Sequence, residues 1–276
     1  MRVACHTITW GEPNLELALK EIGELGFGYF ETFASIVPRY EANQSEFREL
    51  LDSTGLELIS LYGGGDMHLA AASDQVIASN VRIARFLGAN GADRMVLGPA
   101  RRGADAPTSA ELDQLAATAN EIGRLTLEFG VLSCFHPHVY TVVESIAEID
   151  HVMDRLDPEA VGLAADTAHF AKGNANVPGA EIQLFEKYAD RIKYVHLKDW
   201  DPALPPEFDG DSLTPVIRDF TELGQGAVDL KGCVEILRRV DYSGWLTIEL
   251  DYTRKTPVES VRISQDYLKS ALNLTT

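Results

Sequence analysis

The chain has 276 residues, 45% of them hydrophobic and 24% charged, with a formal net charge of −18. This apolar content supports a full core and excludes global disorder. An acidic surface repels phosphate backbones and anionic lipid, so nucleic acid and membrane are not expected partners.

In chain order, short apolar runs alternate with stretches of helical period. RVACHTITW (2–10) is the first predicted strand, followed by a helix over 14–25. Strands follow at GYFETF (28–33) and LELISLY (56–62), then a helix over 73–88 and a strand at DRMVLG (93–98). The helix over 108–129 opens on Thr108 and Glu111, a capping-box spacing, and repeats Leu112, Leu115, Ala119 and Ile122 on one face. VLSCFH (131–136), a helix over 145–155, VGLAAD (161–166) and IKYVHLK (192–198) come next. A long connection, 199–228, leads into a helix over 229–240 and the last strand, WLTIEL (245–250). It contains DPALPPEFDG and is read as a lid or an oligomer contact. Thr256, Pro257 and Glu259 then start the final helix.

Eight strands alternating with helices require parallel pairing. The expected fold is α/β, a (β/α)₈ TIM barrel forming one domain over 1–276. An open doubly wound sheet would usually carry a glycine-rich phosphate loop after the first strand, and TWGEPN is not one. Cys5, Cys134 and Cys233 cannot all pair internally. With no signal-peptide pattern and no apolar run of about 20 residues, a cytoplasmic location is expected.

A barrel places its chemistry at the C-terminal strand ends. His6, Trp10, Glu31, Tyr62, His136, His138, Asp166, His196 and Glu249 lie at or near those ends. Each has an ordinary alternative. Asp166 could cap the next helix, His196 could be a hydrogen-bonded core residue, and Trp10 could be a hydrophobic plug. Glu249 resists this treatment. A buried ionised carboxylate costs several kcal/mol unless paired, and no lysine or arginine neighbours it on its strand. A shared cation held by carboxylates and imidazole would satisfy it. Three carboxylates and one imidazole suit manganese and tolerate magnesium, cobalt or zinc.

FHPHVYTVVE, ADTAHF, KYVHLKD, ELGQGAVDL and GWLTIELD, in this order, resemble the sugar isomerase/epimerase superfamily with a xylose-isomerase-like barrel, and within it the inosose dehydratase-like proteins. Residues 130–270 carry the resemblance, and over 1–129 it is general. It implies one divalent metal, usually manganese, held by Glu, Asp, His and Glu. Asp166, His196 and Glu249 match three of these. Glu144 is taken as the fourth, with His136 as the alternative, because a histidine stands where the ketose 3-epimerases end the strand in glutamate. His169 matches a substrate-contacting histidine, and His6, Trp10, Glu31, Tyr62 and Lys198 are expected on the substrate side.

The implied substrate is a keto-sugar or keto-cyclitol, and the implied chemistry is proton removal beside its carbonyl. His138 or His136 is the expected base and the other the acid. Loss of a β-hydroxyl would make the enzyme a dehydratase, and reprotonation an isomerase or epimerase. The abasic-site endonuclease branch would need three zincs and a basic face, and a non-catalytic barrel would serve as a partner subunit. Association with a second copy or a second subunit is compatible with either enzymatic reading.

Overall fold

The computed structural model describes residues 1–204 and 217–276. Eight parallel strands close into a barrel. They are β1 (Arg2–His6), β2 (Tyr29–Phe33), β3 (Glu57–Gly65), β4 (Arg94–Pro99), β5 (Leu132–Phe135), β6 (Val161–Asp166), β7 (Ile192–Leu197) and β10 (Trp245–Ile248). The barrel closes where β1 pairs with both β2 and β10. Two short strands, β8 (Asp199–Trp200) and β9 (Phe220–Thr221), form an antiparallel ribbon outside it. All eight predicted barrel strands are present. The first is shorter than expected, because after His6 the chain winds into a 3₁₀ turn over Thr7–Trp10.

The predicted helices appear as α1 (Leu15–Glu24), α4 (Ser73–Ala89), α5 (Ser109–Thr126), α6 (Ile146–Met153), α9 (Leu230–Arg239) and α10 (Pro257–Leu272). The helical turn α2 (Val37–Tyr40) and helices α3 (Gln44–Thr54), α7 (Thr167–Gly173) and α8 (Ala180–Lys187) were not read from the sequence. Capping boxes start α5, α6 and α10. At α5 the Thr108 amide donates to Glu111 Oε2 at 2.7 Å and the Glu111 amide donates back to Thr108 Oγ1 at 3.2 Å. Among the described residues no helix is long and apolar enough to cross a membrane. All three cysteines are buried free thiols.

Strand alternation sorts side chains between two cores. Val3, Cys5, Phe30, Leu61, Leu163, Val195 and Leu246 face the helices. Ala4, Cys134, Ala164, Tyr194 and Trp245 fill the barrel interior, with Tyr29 packed against them. One alternation step beyond each of these plug residues comes a polar one: His6, His136, Asp166, His196, Thr247 and Glu31. The alternation that packs the barrel thus sets a polar ring above the plug.

The described part of the 199–228 connection is tied to β7. Asp199 accepts from the amides of Trp200, Gly224, Gly226 and Val228 at 2.9–3.2 Å. Gly226 is required there, since a Cβ would run into the Asp199 carboxylate. Residues 205–216 of the predicted lid, including most of DPALPPEFDG, lie outside the described residues.

Candidate active site

The polar ring is buried. His6, Glu31, Asp166, His196 and Lys198 are fully enclosed, and His136, His169 and Glu249 nearly so. His196 sits at its centre. Its Nε2 is 2.8 Å from Glu31 Oε2, and its Nδ1 is 2.8 Å from Glu249 Oε2 and 3.9 Å from Asp166 Oδ2. Lys198 Nζ reaches Asp251 at 2.8 Å, Glu249 Oε1 at 3.2 Å and Asp166 Oδ2 at 3.8 Å. Burial works against charge on both bases. The Glu249 and Glu31 carboxylates outweigh it at His196, and Asp251, Glu249 and Asp166 outweigh it at Lys198, so both stay protonated well past their ordinary values. Burial pushes the Asp166 carboxyl up to about 6, against Lys198. Burial also raises Glu249, but His196 and Lys198 reverse this and hold it well below the usual range. Four carboxylates (Glu31, Asp166, Glu249 and Asp251) therefore surround two cations, an excess of two formal negative charges in a buried pocket.

The hydrogen-bond partners assign each histidine's proton. A backbone carbonyl only accepts, so a ring nitrogen bonded to one must carry hydrogen. His136 Nδ1 is 3.2 Å from Ala164 O, and His138 Nδ1 is 2.6 Å from Val139 O. Both rings, when neutral, therefore present a lone pair at Nε2. His6 is the reverse. Its Nδ1 accepts from the Ile8 amide at 2.9 Å, so Nε2 holds the proton. His169 Nε2 is 3.2 Å from the Lys198 ammonium, which only donates, so the His169 proton sits on Nδ1. Burial lowers the pKa of His6, His136 and His169, and brings His138 down to about 4. These four rings are neutral near pH 7.

Among the buried atoms without a hydrogen bond in the described residues are the acceptors His136 Nε2, Asp166 Oδ2 and Glu249 Oε2, and with them His196 Nδ1, which can accept only once its proton is displaced. Leaving such atoms unpaired is costly. They come from β5, β6, β7 and the end of β10. His136, Asp166 and His196 offer ligand atoms all within 4.8 Å of one another, as do His136, His138 and His169. The donor chemistry fits a divalent transition metal, for which imidazole and carboxylate are ordinary ligands.

Asp166 satisfies both of its sequence readings. Its Oδ1 caps α7 by accepting from the His169 amide at 2.7 Å, and its Oδ2 faces His196. His138 and His136 both reach the mouth, because β5 stops at Phe135 and Pro137 frees the chain to turn. The His138 ring lies 3.6 Å from that of His169. Tyr62 stands edge-on to His136 at 5.6 Å and lies against Gly98, which has no room for a Cβ. Phe220 caps the far side, 4.8 Å from Lys198 Nζ and 5.2 Å from the His169 ring.

Three expectations change. Glu144 does not join the cluster. After Pro137 the chain turns through Tyr140 at φ 65°, and Glu144 folds back to accept from the Tyr140 amide at 2.6 Å and to meet Arg102 at 3.4 Å. His136, the alternative ligand, stands in the ring instead. Trp10 is in the core with its indole N–H on Glu21 at 2.5 Å, as a plug would be. Glu31 points at His196 rather than at an open substrate face. Sequence reasoning missed Tyr194, Thr247 and Asp251. The signal was the same alternation: Tyr194 precedes His196 by two, and Asp251 follows Glu249 by two.

The sequence pattern of the xylose isomerase-like TIM barrel family matches residues 19–271. An inosose dehydratase from Lacticaseibacillus casei is 30% identical over 173 residues, covering 60% of this chain and 57% of the relative. The matched region thus spans a little over half of that relative's length. A crystal structure of the IOLI protein with a zinc atom superposes with TM-score 0.76 at 17% identity, over 98% of this chain and 97% of that one. The 3-keto-D-glucoside 4-epimerase YcjR from E. coli superposes with TM-score 0.73 at 17% identity, over 98% of this chain and all of that one. The closed barrel and the match over nearly its whole length place this chain in the xylose isomerase-like TIM barrel family.

Proposed function

We propose that this chain is a divalent-metal-dependent dehydratase acting on a keto-cyclitol or keto-sugar. The observation that carries it is the meeting of four atoms without hydrogen bonds, His136 Nε2, Asp166 Oδ2, Glu249 Oε2 and a His196 Nδ1 whose proton a cation would displace, around an excess of two negative charges. These four would hold the cation. When bound, it would act as a Lewis acid toward the carbonyl and an adjacent hydroxyl. With two imidazoles and two carboxylates, the set moves preference from manganese toward zinc or cobalt. The IOLI protein, similar in fold, carries zinc.

His138 is the base. Its Nε2 lone pair is free of the backbone, and a pKa lowered to about 4 keeps it unprotonated at neutral pH. It removes the proton beside the carbonyl. His169 gives its Nδ1 proton to the departing β-hydroxyl, which leaves as water, and takes a proton at Nε2 from the Lys198 ammonium, so the ring stays neutral. His6 Nε2–H donates to a substrate oxygen. The acid is thus assigned to His169, because His136 is engaged in the cation set. Epimerisation needs a second acid–base group across the substrate, and Glu144, the nearest carboxylate in sequence, is held by Arg102 and the Tyr140 amide. The inosose dehydratase relative points the same way.

The test is turnover of a panel of inososes and keto-sugars in D₂O with added Zn²⁺ or Mn²⁺, followed by NMR. The expected result is loss of water from one inosose or a close analogue. Solvent deuterium entering a substrate that keeps all its hydroxyls would replace this reading with an isomerase or epimerase.

A further inference from the structure

Glu31 was expected to line the substrate, yet its contacts face the opposite way. It is fully buried on β2. Its Oε2 lies 2.8 Å from His196 Nε2 and accepts from the Tyr194 hydroxyl at 2.7 Å. Tyr194 in turn lies 2.7 Å from Thr247 Oγ1. The chain Thr247–Tyr194–Glu31–His196 joins β10, β7 and β2 through the barrel interior. The register of β2 against β3 slips between Phe30 and Glu31, the kind of irregularity that re-aims a side chain beside a site.

We propose that Glu31 is a positioning residue for the cation site: it holds the His196 proton on Nε2, so that Nδ1 is the nitrogen delivered to the ion. This rests on the metal-dependent reading above. An ionised carboxylate only accepts, so the shared hydrogen must belong to the imidazole. Nδ1 faces Glu249 Oε2 at 2.8 Å and Asp166 Oδ2 at 3.9 Å without a hydrogen bond, so its proton, and not the one held on Nε2 by Glu31, is the one a cation would displace. Metal-binding histidines commonly lean on such an outer carboxylate, which fixes the tautomer and raises ligand basicity. Tyr194 fixes that carboxylate in turn. Glu31 Oε1 has no partner, so direct contact with the ion or the substrate is the competing role, and the experiment separates the three.

Purified apo wild type, Glu31→Gln, Glu31→Asp, Tyr194→Phe and His196→Ala are titrated with Zn²⁺ in competition with a chromophoric chelator. Thermal melts of the apo proteins check folding. The positioning role predicts roughly 10–100-fold weaker Zn²⁺ binding for Glu31→Gln, a smaller loss for Tyr194→Phe and partial rescue in Glu31→Asp. Nitrogen NMR of ¹⁵N-histidine-labelled, Zn²⁺-loaded protein should show His196 bound through Nδ1 in wild type, and a mixture of Nδ1 and Nε2 in Glu31→Gln.

The proposal is overturned if Glu31→Gln keeps wild-type affinity while His196→Ala loses it; a rise in KM alone would then assign Glu31 to substrate. Abolished binding in Glu31→Gln with unchanged affinity in Tyr194→Phe would make Glu31 a ligand, which also overturns it. If Glu31→Gln does not fold, Tyr194→Phe decides, and wild-type affinity there counts against the proposal. Wild type that binds no Zn²⁺, Mn²⁺ or Co²⁺ removes the metal-dependent reading itself, and this proposal with it.

Discussion

Charged side chains stand at both ends of the barrel, but they are held in opposite ways. At the N-terminal end, Arg2 lies over the Trp245 ring at 3.7 Å, Arg94 donates to the Asp93 carbonyl at 2.9 Å, and Lys193 donates to the Asp190 carbonyl at 2.8 Å. These cations are partly or wholly exposed and close off the barrel bottom. Among the described residues, the unpartnered buried atoms at that end, Trp245 Nε1 and Arg191 Nε, are both N–H donors. At the C-terminal end the charges are enclosed, and the acceptors His136 Nε2, Asp166 Oδ2 and Glu249 Oε2 meet without partners, beside unpartnered N–H groups of His6, His169 and His196. A folded chain tolerates converging unsatisfied acceptors only where something else completes them. The lower end is closed by exposed, partnered cations, and the upper end gathers the buried atoms that the proposed cation would complete.

The contrast breaks most visibly at the ligands. His196→Ala and Glu249→Ala should lose the cation and lower turnover by at least ~100-fold, the outer range for disturbing a site's second shell alone. Metal content after dialysis and steady-state rates check this, and a stoichiometric cation retained in both variants would end the assignment. His138→Gln comes next, with a rate loss of about 10²–10⁴-fold and an unchanged cation affinity. If affinity falls along with rate, His138 is a ligand and the base lies elsewhere.

Cation addition tests the enclosed charges directly. At a thousandfold excess over Kd, binding should stabilise the fold by about 4 kcal/mol, seen as a raised Tm in wild type and no rise in Glu249→Ala. Glu148, which caps α6 and bonds Arg102 at 2.6 Å, gives a smaller effect. Burial would raise its pKa, but the Ser145 and Glu144 amides and Arg102 outweigh that and hold it below the ordinary value. The stabilisation is therefore present above the unfolded carboxylate value and is lost as pH falls through the lower folded value. Glu148→Gln should be less stable than wild type at pH 7 by about 1 kcal/mol. The urea midpoints should converge below about pH 4, and a gap that persists there would mean the charge is not its source. Arg2→Ala at the lower end should be the mildest, about 0.5–1 kcal/mol with turnover unchanged. A large rate loss would show that the two ends are coupled.

Much of the upper end was legible in the sequence because strand alternation is a local property. KYVHLKD and WLTIELD carry their interior residues at every second position, and the apolar plug residue marks which parity faces in. Glu144 was misplaced because its position is not set locally. The path after Pro137 depends on a left-handed Tyr140 and on Arg102, which belongs to a different connection. The contact between Glu31 and His196 had no sequence signal at all. Residues 31 and 196 meet only because β7, β10, β1 and β2 are consecutive staves of a closed barrel, so that their side chains cross its interior.

The sequence by itself determined the eight strands, two capped helix starts and the inward set Asp166, His196 and Glu249, since each follows from hydrophobic period or from the spacing of neighbouring residues. Tertiary structure alone decided which ring nitrogen carries each proton, that His136 rather than Glu144 stands in the ring, and that Glu31 meets His196. Those outcomes depend on hydrogen-bond partners brought from distant strands, and barrel closure is what supplies them.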